Sequence, residues 1–193
     1  MSRDQWEQLR SSLLIHSCKE SLEPRAFPDV FAFVETALDF VLPTSYCDYI
    51  KVFGPGTFAD NYRIAAPGFP DQFWAANLLS LNEMMARFEH QAPPNQPQPM
   101  VHQSDFVYFC TTQSGTSIGW KRDDDLTGEG NERAVYGITR SGEGSKRLAE
   151  TFTRFILDVC LKPSRTDEDD ESEESHRVFV PENDLVSLSL RSS

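Results

Sequence analysis

Apolar residues recur along this chain with two different periods, and the change between them organises it. Trp6, Leu9, Leu13 and Leu14 fall at helical spacing over residues 3–15. Pro24 and Pro28 then exclude a continuous helix. Asp29 is placed to cap a second helix, whose apolar positions include Val30, Phe33, Val34, Ala37 and Leu38. That helix must stop before Pro43, because the residue preceding a proline is pushed out of helical geometry. Thr44 or Ser45 can cap a third, short helix with Tyr46, Tyr49, Ile50 and Phe53 on one side, closed by Gly54-Pro55-Gly56. Extended chain follows from Thr57 to Pro67. The strongest helical pattern spans Asp71 to Glu89, with Phe73, Trp74, Leu78, Leu81, Met85 and Phe88 on its apolar stripe.

Past a proline-rich break at residues 92–100 the period becomes two. Asp105–Thr112 and Thr116–Arg122 read as strands around a hairpin turn at Gln113-Ser114-Gly115. Ala134–Thr139 reads as a third strand. A last helix is expected near Ser145–Leu161, carrying Leu148, Phe152, Phe155, Ile156 and Val159 inward. Helices first, then a block of strands, then a helix: this order predicts an α+β fold, N-terminal helices packed on a mainly antiparallel sheet, with a C-terminal helix. Residues 1–163 form one domain on this reading. Residues 164–176 form an acidic segment kept disordered by its own repulsion, and residues 177–193 form a tail that can return as a docked strand.

Composition narrows the picture. The 193 residues suffice for one core. Only 39% are hydrophobic, but fourteen Phe, five Tyr and three Trp supply large apolar area per residue. A net charge of −12 repels phosphate backbones and favours basic protein partners over nucleic acid. Seven of the acids cluster between Asp167 and Glu174, yet the remainder of the chain is still acidic. Cys18, Cys47, Cys110 and Cys160 are scattered, the first residues do not read as a secretory leader, and no apolar run reaches bilayer length. Reduced thiols in a cytoplasmic protein, with no membrane contact, are the expectation.

Candidate chemistry is sparse. Gly115–Gly119 matches G-x-S-x-G, but a nucleophile elbow needs a strand-to-helix turn and Ser117 falls within a hairpin arm. Gly137–Gly142 has the outline of a phosphate loop without its Lys and Ser/Thr. His16 and Cys18 lack a second ligand pair at metal spacing, and His90, His102 and His176 stand beside loops or the acidic segment. No catalytic group, metal set or cofactor is therefore expected. Asp123, Asp124 and Asp125 lack the alternation of a calcium loop and read as a solvated acidic loop able to meet a partner's lysines and arginines. Trp74 reads as core. Trp120, ending a strand just before that loop, is a candidate half-exposed anchor. Trp120, Asp123, Asp124, Asp125 and Glu129 are the candidate partner-binding residues.

Val34 to Phe58, VETALDFVLPTSYCDYIKVFGPGTF, resembles the N-terminal signature of the SUKH superfamily, the Smi/Knr-like domains of bacterial immunity proteins and fungal cell-wall assembly regulators. Glu35, Leu38, Leu42, Pro43, Tyr46, Tyr49, Ile50 and Gly56 match that pattern, while Gly54 and Pro55 replace its usual Asn-Gly. The resemblance implies a SUKH-like α+β fold with no chemistry of its own. It further implies a cytoplasmic immunity protein that binds and neutralises a toxin, for which a basic nuclease would suit the acidic surface. Two other functions stay open at this point: a regulatory scaffold recruiting partners through the acidic segment, and a hydrolase using Ser117.

Overall fold

Alternating side chains on short strands build one eight-stranded sheet. The computed structural model describes residues 1–15, 28–68, 75–90, 102–127, 130–139, 144–162 and 178–181. Its strands are β1 (Leu14–Ile15), β2 (Gly56–Phe58), β3 (Tyr62–Ile64), β4 (Phe106–Thr112), β5 (Ser117–Lys121), β6 (Val135–Ile138), β7 (Ser145–Ala149) and β8 (Val178–Pro181). Their spatial order is β1-β8-β2-β3-β4-β5-β6-β7. Only β1 and β8 pair in parallel; every other neighbour is antiparallel. The helices are α1 (Arg3–Ser12), α2 (Pro28–Leu38), α3 (Thr44–Phe53), α4 (Leu78–His90) and α5 (Phe152–Phe155), the last continuing as a π-helical turn Ile156–Cys160. The α+β expectation holds, and β8 is the returning strand foreseen for the tail.

Strand parity sorts the two faces. Ile118 and Trp120 on β5 point one way, with Phe109, Phe58 and Phe179, and meet the aromatic faces of α1, α3 and α5. Trp6, Tyr46, Tyr49, Phe53, Phe58, Phe109, Trp120, Phe152 and Phe155 join in a continuous network of ring contacts at 4.2–6.5 Å. That packing explains how a chain so poor in aliphatics closes a core: each ring buries far more area than an alanine or valine. Ser117 faces the other way, where α4 lies. Asn82 on α4 donates to the Tyr108 carbonyl at 2.8 Å and accepts from the Tyr108 amide at 2.8 Å. The β4–β5 register shifts between Tyr108 and Cys110, so Asn82 satisfies backbone groups beside a bulge.

Four expectations are corrected. Ser145–Ala149 is an edge strand paired with β6, not the first turns of a helix. Ser145, Lys146 and Arg147 are exposed and offer no inward helical face, whereas β6 offers an open hydrogen-bonding edge. The helix begins only after Thr151, whose hydroxyl accepts from the Arg154 amide at 3.2 Å. Helix α2 starts at Pro28, so Asp29 lies inside its first turn instead of capping it; proline suits that first position because its missing N–H costs nothing there. Neither Thr44 nor Ser45 caps α3, whose first residue follows Pro43. The helix expected over Asp71–Glu89 begins only at Leu78: Ala75 and Ala76 form a turn, and Asn77 bridges to Ala66 while its side chain accepts from the Leu79 and Ser80 amides at 2.9 and 3.1 Å, capping α4. Residues 71–74 with Trp74, the proline-rich break, Glu129 and the acidic segment 164–176 lie outside the described residues. Among the described residues, no helix is long and apolar enough to cross a membrane.

Candidate functional site

The junction between α2 and α3 is built by side chains that fold the chain back on itself. Asp39 adopts the left-handed region, with φ of 48°. Its amide donates to the Thr36 carbonyl, and the Phe40 amide to the Glu35 carbonyl, closing α2 in a Schellman arrangement. The Glu35 carboxylate then accepts from the Leu42 amide at 2.9 Å, so this one residue holds both strands of the Leu42-Pro43 turn. Tyr46 is fully buried and donates to the Ala65 carbonyl at 2.7 Å, fastening α3 to the chain leaving β3. Tyr49 is equally buried, and its hydroxyl has no partner among the described residues. Gly54 ends α3 at φ of 70°, which a side chain resists. Gly56 is needed for a different reason: a Cβ there would stand 2.2 Å from the Phe179 ring.

The acidic loop docks on this junction. Arg122 donates to the Leu38 carbonyl at 2.6 Å and to the Ser104 carbonyl at 2.9 Å. The Arg133 guanidinium donates to the Asp124 and Arg122 carbonyls and lies 4.9 Å from the centre of the Phe40 ring. The Thr44 amide donates to the Gly130 carbonyl at 2.8 Å, and the Ser45 amide to Glu132 at 3.0 Å. Thus the cap of α3 arrives from the far side of the loop. Arginine suits the bracket role because its planar fork serves several carbonyls at once.

Within this frame the three aspartates differ. Asp123 has a side chain 75% exposed and an ion pair with Lys121 at 3.2 Å, which holds its carboxyl below the usual carboxylate range. Asp124 accepts from the Tyr136 hydroxyl at 3.0 Å and is tied down. Asp125 is exposed. Leu126 and Val41, on the loop and on the junction, are also half in solvent. Asp123 and Asp125 are therefore presented outward, and Asp124 is a brace.

Trp120 is not the half-exposed anchor expected of it. It is fully buried, stacked on Phe109 at 4.2 Å and on Phe40 at 5.9 Å, with Tyr46 edge-on at 5.2 Å. The reason is register: Trp120 pairs with Val107 and Val135 on the inward face, and only Lys121 turns outward beside the loop. Sequence reasoning also passed over Arg122, Glu132 and Arg133. The signal was present as two arginines and a glutamate flanking the aspartates of RDDDLTGEGNER.

The other suggested chemistries do not assemble. Ser117 sits within β5, buried, and donates to the Met85 sulfur at 3.5 Å, with no strand-to-helix turn around it. The glycine-bearing stretch after β6 leads into β7, so no helix N-terminus is available there to cradle phosphate. Among the described residues, no three His, Cys, Asp or Glu side chains converge as a metal set. No family model matches this chain, and no curated protein or solved structure matches it.

Proposed function

We propose that this chain is a non-enzymatic, cytoplasmic protein-binding domain of SUKH type, acting as an immunity protein that neutralises a basic toxin. The reading is supported by the match of Glu35, Leu42, Pro43, Tyr46, Tyr49 and Gly56 with that family's pattern and by the net charge of −12. The observation that carries it is the acidic loop: Asp123 and Asp125 reach solvent from a backbone bracketed by Arg122 and Arg133. A fixed backbone loses little freedom when a partner docks, so its charges act as pre-placed contacts. Opposite fields speed the encounter, and the aliphatic surface of Leu126 beside them slows departure.

Co-expression with the product of the neighbouring gene tests this. The wild-type chain relieves growth arrest caused by that product and co-purifies with it at low salt. The double variant Asp123→Lys/Asp125→Lys folds normally and loses both properties. A product that is neither bound nor silenced, or a double variant that neutralises as well as wild type, removes the reading.

A further inference from the structure

One row of residues runs straight across the sheet on the face that carries α4. Val180 pairs with Thr57, Thr57 with Arg63, Arg63 with Thr111 and Thr111 with Ser117. Helix α4 lies over the Ser117 end of that row through Met85 and Asn82. The other end opens into a groove of about 240 Å³, lined by Thr57, Arg63, Thr111 and Val180, with Asn61 and Gln113 on its wall. The wall is braced: the Gln113 amide donates to the Asn61 side chain at 3.2 Å, and the Gln113 side chain to the Asp60 carbonyl. Left-handed Ala59 and Asp60 turn the β2–β3 loop tightly enough to reach it.

Cross-strand neighbours on one face have Cβ atoms about 5 Å apart, so the Arg63 side chain leaves the sheet between those of Thr57 and Thr111. The Thr57 hydroxyl oxygen is buried and has no partner among the described residues. Arg63 takes part in another interaction within the chain, and the five donors of a guanidinium accommodate a second acceptor. We infer that this groove is an oxyanion site: Arg63 grips a carboxylate or phosphate in its fork, with the Thr57 and Thr111 hydroxyls as side donors. A planar fork matches both anions. The volume equals roughly eight waters, which limits the ligand to a small acid, a phosphate group or a single acidic side chain. The exposed Asp60 carboxylate on the rim opposes polyanions. The groove lies at the opposite end of β4 from the acidic loop, so it stands or falls apart from toxin binding.

The full-length, nitrogen-15-labelled chain is titrated with sodium phosphate, with sodium succinate and with sodium chloride at matched ionic strength. Saturable amide shifts at Thr57, Arg63 and Thr111 are expected with phosphate or succinate and not with chloride; which of the two binds more tightly identifies the anion's source. Arg63→Gln weakens binding by about tenfold or more, and Thr111→Val by about threefold, without disturbing the rest of the spectrum. Shifts no larger than those from chloride overturn the proposal, as does equal affinity in Arg63→Gln. Should Arg63→Gln fail to fold, unchanged affinity in Thr111→Val overturns it instead.

Discussion

The Glu132 carboxylate accepts a hydrogen bond from the Ser45 amide at 3.0 Å, joining positions 87 apart in sequence. A helix N-terminus leaves its first amides without intrahelical partners, and a local Ser, Thr or Asp usually supplies one. Here Pro43 occupies the cap position and has no side chain for the task, so the acidic loop provides it. Glu132→Ala is expected to lower stability by about 1–2 kcal/mol in urea unfolding. Glu132→Gln keeps an acceptor and loses only the attraction between charge and helix dipole, about 0.5 kcal/mol. Equal losses from the two variants would show that the carboxylate does not act as a cap.

Two buried tyrosines one turn apart on α3 are predicted to respond in opposite ways. The Tyr46 hydroxyl donates to the Ala65 carbonyl, and removing it strands a buried acceptor. Tyr46→Phe should therefore cost about 1 kcal/mol. The Tyr49 hydroxyl has no partner among the described residues, while its ring stacks on Phe53 at 4.9 Å. Tyr49→Phe keeps the ring and discards an unsatisfied group, so stability should stay level or rise by up to about 1 kcal/mol. Thermal and urea midpoints of the two variants, measured side by side, check the sign. A Tyr49→Phe loss as large as that of Tyr46→Phe contradicts the assignment.

What the sequence disclosed and what it hid follow from the range of the forces involved. The helices flanking Leu42-Pro43 and the β4–β5 hairpin were legible because proline sterics, turn residues and local periodicity decide them within a few positions. Ser145–Ala149 was misread because strand formation there depends on an open neighbouring edge, which no local pattern encodes. Trp120 was misplaced for a similar reason. Its parity along β5 was visible, but the aromatic lid supplied by Phe40 and Tyr46 comes from residues some eighty positions earlier. The acidic loop was seen as charge alone. Its brackets, Arg122 and Arg133, act on carbonyls of Leu38 and Asp124, and backbone acceptors leave no mark in a sequence.

Gly56 is predicted to be intolerant of even a methyl group. A Cβ at that position would meet the Phe179 ring at 2.2 Å and the Val180 carbonyl at 2.7 Å. The close approach is what lets β8 lie flat against β2. Gly56→Ala should cost roughly 1–3 kcal/mol, the usual range for overpacking. In a Phe179→Leu background the same change should cost less, because the ring is gone while the carbonyl remains. A double-mutant cycle reads this coupling directly. Strict additivity would mean that the ring yields freely, and the glycine would then need another explanation.

Alkaline pH supplies a test of the core as a whole. Burial, aided by the Glu35 charge, pushes the Cys47 thiol from its ordinary value of 9.0 up to about 12. Burial also raises Cys110 and Cys160 well above the ordinary thiol value, and Tyr46 and Tyr49 well above the ordinary phenol value. In each case the folded chain holds its proton more tightly than the unfolded chain. Below about pH 8 both states are protonated at these groups and contribute no pH dependence. As pH rises past the unfolded value near 9, the unfolded state ionises first and is favoured. For Cys47 the loss continues until pH passes about 12. Each buried thiol then removes up to about 1.4 kcal/mol per pH unit. Urea midpoints should accordingly fall between pH 9 and 11, and less steeply in Cys110→Ala. Iodoacetamide should label Cys110 and Cys160 slowly in the native chain at pH 8 and rapidly once urea unfolds it. Fast native labelling of Cys110 or Cys160 at pH 8, or stability level from pH 9 to 11, would place those side chains in water and dismantle the aromatic core described above.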